Sequence, residues 1–195
     1  NFDMKKRTAF IGAILSLIPL GQPFIIKTGL VLSSSALMIS LPDKLNAENA
    51  SFYFNRGLDK QKAGDYYGAI ADYTEAIEIN PRFAEAYNNR GYTKNELKDY
   101  RGAILDFNQA IQINRRYAMA YYNRSRSYYF LEDYYQAISD TTKTVKYNSQ
   151  DKEAYVIRGM SKYNIGDRKG ACSDWRKALS LGYQDVERHV RNQCQ

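Results

Sequence analysis

Residues 84–117 read AEAYNNRGYTKNELKDYRGAILDFNQAIQINRRY, and residues 50–83 read ASFYFNRGLDKQKAGDYYGAIADYTEAIEINPRF. Laid over one another, the two stretches match at Tyr53 and Tyr87, Gly57 and Gly91, Ala69 and Ala103, Ile77 and Ile111, and Asn80 and Asn114. The same 34-residue step leads on to Tyr121 and Tyr155, Ser125 and Gly159, Ala137 and Ala171, and Val145 and Leu179. An aromatic column runs through Tyr73 and Phe107, lapses at Thr141 and returns at Trp175. Several columns sharing one period mark a supersecondary unit that is repeated and stacked.

Each unit reads as two helices. In the first, Ala50 to about Ala63 forms one and Tyr66 to Ile79 the other, with Gly64 and Asp65 at the turn. Asp65, Asp99, Asp133 and Asp167 stand where an N-cap belongs, since a short acceptor side chain satisfies the open N–H groups of a first turn. Pro81 ends the second helix, because the residue before proline is pushed out of the α region. Small residues recur where two helices approach closely, and the aromatic column fills the space between neighbouring pairs.

These residues carry a resemblance. Tyr53-x-x-Arg56-Gly57, Ala69-x-x-x-Tyr73-x-x-Ala76 and Pro81 are similar to the tetratricopeptide repeat signature. The resemblance implies an all-α, right-handed α-solenoid of four helix-turn-helix units, 50–83, 84–117, 118–151 and 152–185, within a domain 48–185. A capping helix within 184–195 follows, with Val186 and Val190 facing in and Glu187, Arg188, His189 and Arg191 on its wet side. The closing proline is confined to the first unit. The third unit departs furthest, with Ser125 for Gly and with Thr141 and Thr144 for an aromatic and an Ala, so it is expected to pack least tightly.

Two polar columns run through the units. Arg56, Arg90, Arg124 and Arg158 lie on the first helices, and Asp72, Asp106, Asp140 and Asp174 lie 16 residues on, on the second helices. Arginine's planar fork suits a carboxylate. A structural ion-pair ladder is the leading reading, and a surface for acidic ligands the other. Asn55, Asn89 and Asn123 form a second ladder that ends at Ile157. It resembles the peptide-binding asparagine ladder of the O-linked N-acetylglucosamine transferases. A primary amide offers both a donor and an acceptor to a peptide group. Ordinary repeat consensus with solvated amides explains the column equally well. Tyr92, Tyr122, Arg126, Tyr129 and Tyr163 share the first helices and would form an aromatic wall of the partner-binding groove if they face it. Tyrosine as filler within the repeat is the alternative.

Cys172 and Cys194 flank Gly182 at similar distances along the chain, so two helices turning there would bring the sulfurs to similar heights. A disulfide that clips the C-terminal helix to the solenoid is expected, with two unrelated free thiols as the alternative.

The first residues carry a different message. Met4 precedes Lys5, Lys6 and Arg7, and Lys27 is the only charge from Thr8 to Leu41. A basic start before an apolar run is the pattern of an export signal. Residues 1–47 read as a cleaved signal peptide ending at Ala47 or as a retained membrane anchor through residues 8–41. Either way the rest of the chain is expected on the far side of a membrane: periplasm, lumen or extracellular side.

The net charge of +7 comes from 28 basic and 21 acidic side chains, mixed along the chain without a basic block. That balance argues against a nucleic-acid partner. Phosphate-loop, dinucleotide, HExxH and CxxC patterns are missing, and His189 is the only histidine. The sequence therefore predicts no enzyme, no cofactor and no metal site. It points to a scaffold or assembly factor that binds a protein or peptide in the concave groove of a helical solenoid, with an RNA-binding helical repeat as the alternative.

Overall fold

The computed structural model describes residues 24–25, 31–32 and 43–194, and the chain divides into two compact units, 1–43 and 44–195. In the first unit, Phe24–Ile25 (β1) pairs antiparallel with Val31–Leu32 (β2), Phe24 opposite Leu32 and Ile25 opposite Val31. The remaining residues on which the export or anchor expectation falls, including most of 8–41, lie outside the described residues. No helix among the described residues is long and apolar enough to cross a membrane.

The second unit is helical throughout its described residues. Helix α1 spans Asp43–Lys62, α2 Tyr66–Ile79, α3 Ala84–Glu96, α4 Tyr100–Ile113, α5 Ala118–Phe130, α6 Tyr134–Tyr147, α7 Lys152–Asn164 and α8 Arg168–Ser180. A 3-10 turn at Gln184–Val186 leads into α9, Glu187–Gln193. Consecutive helices pair antiparallel, and α3 also packs on α5, and α5 on α7, so the first helices of successive units form a continuous inner row. The stack is an α-solenoid. Helix α1 begins seven residues before Ala50, directly after Pro42, because residues 43–49 hold nothing that breaks a helix. The cleavage position proposed at Ala47 falls inside it.

Helix starts follow the aspartates. The carboxylates of Asp65, Asp99 and Asp167 accept hydrogen bonds of 2.9 Å from the backbone N–H groups of Gly68, Gly102 and Gly170. The turn before each cap needs a left-handed residue, and that position is Gly64, Lys98, Glu132 and Gly166 in the four units, with φ of 81°, 63°, 61° and 88°.

The core explains the glycine and aromatic columns together. A Cβ on Gly57 would lie 2.7 Å from the Tyr73 ring, one on Gly91 2.8 Å from Phe107, and one on Gly159 2.5 Å from Trp175. Glycine is required there by its neighbour's ring. Tyr73, Phe107 and Trp175 are each almost wholly buried, and truncating such a ring to Ala typically costs about 3–5 kcal/mol. In the third unit both columns change at once. Ser125 and Thr141 are fully buried, and their hydroxyls donate to the carbonyls of Tyr122 and Ala137, each at 2.6 Å. A smaller side chain on α6 makes room for the larger one on α5.

Candidate functional site: the inner row of helices

The arginine column is built into the fold. Arg56 donates to both carboxylate oxygens of Asp72 at 2.8 and 2.6 Å, Arg90 to Asp106 at 3.0 and 2.7 Å, Arg124 to Asp140 at 2.7 and 2.7 Å, and Arg158 to Asp174 at 2.9 and 2.6 Å. The same guanidinium groups reach back to the preceding unit. Arg90 Nη1 donates to Thr74 Oγ1 at 3.0 Å, Arg124 Nη1 to Asn108 Oδ1 at 2.5 Å, and Arg158 Nη1 to Thr142 Oγ1 at 3.4 Å. Each arginine therefore ties its own hairpin together, and Arg90, Arg124 and Arg158 also join theirs to the hairpin before. Arg56, Arg90, Arg124 and Arg158 also lie over the rings of Tyr53, Tyr87, Tyr121 and Tyr155, at 5.0, 5.6, 5.5 and 5.2 Å.

Electrostatics differ between units. Lys60, Lys94 and Lys162 place a second cation 2.8–2.9 Å from Asp72, Asp106 and Asp174. The third unit has Tyr128 at that place. Hydrogen bonding from Arg56 holds the Asp72 carboxyl below the usual carboxylate range. Burial pushes Asp140 up, against the pull of Arg124.

On the inner row, Asn89, Tyr92, Tyr122, Asn123 and Arg126 come together around a groove of about 290 Å³, joined by Gln61, Asn88 and Met119. Three successive first helices, α1, α3 and α5, supply these residues. Met119 is half exposed, and burial pushes the Tyr122 hydroxyl up to about 12. The Arg126 guanidinium lies 3.9 Å from Glu96 and over the Tyr92 ring at 5.9 Å.

The structure divides the asparagine column. Asn55 is exposed and Asn89 half-buried, but Asn123 is buried and its side-chain amide donates to Asn88 Oδ1 at 3.0 Å. Close packing of α3 on α5 turns that amide inward towards Asn88, which sets it apart from Asn55 and Asn89. Tyr129 packs edge-on against Phe130 and Tyr134 at the turn edge of the unit. Tyr163 belongs to the C-terminal end, where its hydroxyl donates to Gln193 Oε1 at 3.2 Å and its ring lies 5.7 Å from Trp175.

The sequence reading missed a buried polar network along this row. Gln61 Oε1 accepts from Tyr73 Oη at 2.7 Å and from Thr93 Oγ1 at 3.0 Å, linking α1, α2 and α3. Ser127 Oγ donates to Asn95 Oδ1 at 2.8 Å, linking α5 to α3. A signal was present: the column of Gln61 and Asn95 turns to Tyr129 and Tyr163, and Asn88 sits in a column with Phe54, Tyr122 and Val156. A polar residue in an otherwise apolar column has a buried partner to find.

At the far end, Cys172 and Cys194 are bonded, with Cα atoms 5.5 Å apart. Val186 is buried and Val190 half-buried against the last hairpin. His189, placed on the wet side by the helical pattern, is exposed but rests its ring 5.3 Å from Trp175. No cluster that could hold a metal ion occurs among the described residues.

This stacked-hairpin architecture, with its glycine–ring contacts, is that of a tetratricopeptide-repeat solenoid. A family model described as TPR repeat matches residues 60–95, and one described as Tetratricopeptide repeat matches 84–117. No curated protein sequence matches the chain. Among solved structures, MamA from Desulfovibrio magneticus RS-1 is similar at a TM-score of 0.68 and 19% identity, over 73% of this chain and 81% of that one. The TPR domain of Arabidopsis OM64 is similar at a TM-score of 0.61 and 28% identity, over 62% and 99%. The first TPR of Spaghetti (RPAP3), bound to the HSP90 peptide SRMEEVD, is similar at a TM-score of 0.60 and 24% identity, over 61% and 94%.

Proposed function

We propose that this chain is a protein-binding scaffold whose inner row takes an extended peptide segment that is uncharged or basic and carries an apolar anchor. The observation that carries this reading is the groove between Gln61, Asn89, Tyr92, Met119, Tyr122 and Arg126, which combines aromatic walls, an exposed Met and amide groups on three adjoining helices. Tyr and Arg in a concave site are the residue types that concentrate binding energy.

Charge selects the class of peptide. Glu85 and Glu153 share Met119's place in the repeat, and the one cation lining the groove among the described residues, Arg126, already faces Glu96. An acidic peptide such as SRMEEVD, held by the RPAP3 domain, would meet little free positive charge here. The same acidic side chains disfavour a polyanion such as RNA.

Selection from a random peptide library tests the proposal, with the intact chain and the Tyr92→Ala/Tyr122→Ala variant as baits. Enriched peptides should hold an apolar residue flanked by neutral or basic ones and should lose about 10-fold or more in affinity for the variant. Acidic peptides, or equal binding to both baits, would refute it. We propose in addition that Lys5, Lys6, Arg7 and the apolar run after them direct the chain to a membrane. Recovery of the intact chain solely in the soluble cytoplasmic fraction would end that idea.

A further inference from the structure

The disulfide at the end of the solenoid lies in a charged setting. Arg168, Lys169, Arg176 and Gln193 line a cleft of about 350 Å³ together with Cys172 and Cys194. Among the described residues, Arg168, Lys169 and Arg176 form no ion pair. Arg176 Nη2 donates to the carbonyl of Cys194 at 2.7 Å, which keeps that cation beside the bridge. Three positive side chains thus surround a sulfur–sulfur bond on an open surface, where they attract anions and raise their local concentration.

The two sulfurs are not equivalent. Cys172 is 7% exposed, whereas Cys194 is only half-buried. An incoming thiolate therefore meets Cys194 first. Cys172 stands one turn into α8, which begins at Arg168 and Lys169. Arg168 and Lys169, which line the same cleft, favour a thiolate on Cys172, so it can serve as the leaving group.

We propose that this cleft is a reaction site for an anionic thiol, which opens the Cys172–Cys194 bridge by attack on Cys194 and releases α9. In the first step the thiolate sulfur bonds to Cys194 Sγ, the Sγ–Sγ bond breaks, and its electron pair departs with Cys172 as thiolate. In the second, another thiolate takes the bound thiol from Cys194 as a small disulfide, leaving both cysteines reduced and the thiol oxidised. Once the bridge is gone, α9 is held by the packing of Val186 and Val190, the His189 ring against Trp175, the Tyr163–Gln193 hydrogen bond and the contact of Arg176 with Cys194. Seven residues of helix are too few to persist alone. Their departure uncovers Trp175, Met160 and Tyr163, the apolar end that a further hairpin would cover in a longer solenoid.

The test uses the intact, oxidised chain and three thiols at equal thiolate concentration: 2-mercaptoethanesulfonate, 2-mercaptoethanol and cysteamine, which are anionic, neutral and cationic. Each rate is divided by the same thiol's rate on an unstructured peptide disulfide. The anionic thiol should open the bridge about 10-fold faster than the cationic one at low salt, with the ratio shrinking at high salt. It should shrink equally in the Arg168→Gln/Lys169→Gln/Arg176→Gln variant, and mass spectrometry should place the first adduct on Cys194. Equal normalised rates, a ratio insensitive to salt, or an adduct on Cys172 would overturn the site. Hydrogen exchange should show α9 losing protection on opening while α7 keeps it, and continued protection of α9 would overturn the release.

Discussion

Arg124 grips Asp140 through two hydrogen bonds of 2.7 Å, yet among the described residues this is the one aspartate of its column whose carboxylate has no lysine beside it. Tyr128 occupies the place of Lys60, Lys94 and Lys162. Burial therefore dominates at Asp140 and raises its carboxyl, while Arg56 lowers that of Asp72.

The signs follow. A lowered carboxyl contributes stability above its unfolded value and loses it as pH falls through the folded one. A raised carboxyl contributes stability at low pH and loses it as pH climbs through its folded value. Carboxyl NMR titration should find Asp140 protonating at higher pH than Asp72. Tyr128→Lys should lower the Asp140 titration and add about 0.5–1 kcal/mol near neutral pH, a gain that fades in acid. An unchanged Asp140 titration in that variant would contradict the assignment.

Ser125 and Thr141 should behave as a coupled pair. Thr141→Phe alone drives a ring into the Ser125 side chain and should cost about 1–3 kcal/mol. Ser125→Gly alone leaves a gap and a flexible backbone, about 1 kcal/mol. Together they recreate the pairing of Gly91 with Phe107, so the double variant should recover most of the loss in urea unfolding. Additive costs would mean that the two positions do not share their space.

Lys98 and Glu132 hold left-handed backbone that Gly64 and Gly166 hold without a Cβ. Lys98→Gly and Glu132→Gly should each stabilise the protein by about 1 kcal/mol, seen as a higher urea midpoint with unchanged slope. A loss of stability would place the strain elsewhere.

The asparagines should separate by role. Asn123→Ala strands the buried Asn88 carbonyl and should cost about 1–3 kcal/mol. Asn55→Ala is an exposed change and should stay within about 0.5 kcal/mol. Equal effects on thermal unfolding would show that Asn123 is not the structural member.

Much of the fold could be read from the chain because a stacked repeat writes each contact several times. Gly57, Gly91 and Gly159 with Tyr73, Phe107 and Trp175 make one contact three times over, and the period alone exposes it. The groove was legible only in part. Tyr92, Tyr122 and Arg126 were recognisable by residue type, whereas Gln61, Asn88 and Met119 occur once each at their columns and leave no recurring trace.

The sequence by itself determined the period, the helix starts at Asp65, Asp99 and Asp167, and the partnership of each arginine with the aspartate 16 residues on. All of these are local or repeated, so spacing suffices to specify them. The tertiary structure alone decided that the arginines also reach Thr74, Asn108 and Thr142 of the preceding hairpin, that Asn123 turns inward, and that three cations gather around the Cys172–Cys194 bridge. Those facts depend on how far one hairpin rotates against the next and on where the last helix folds back. Side chains distant in sequence meet only after that packing is set.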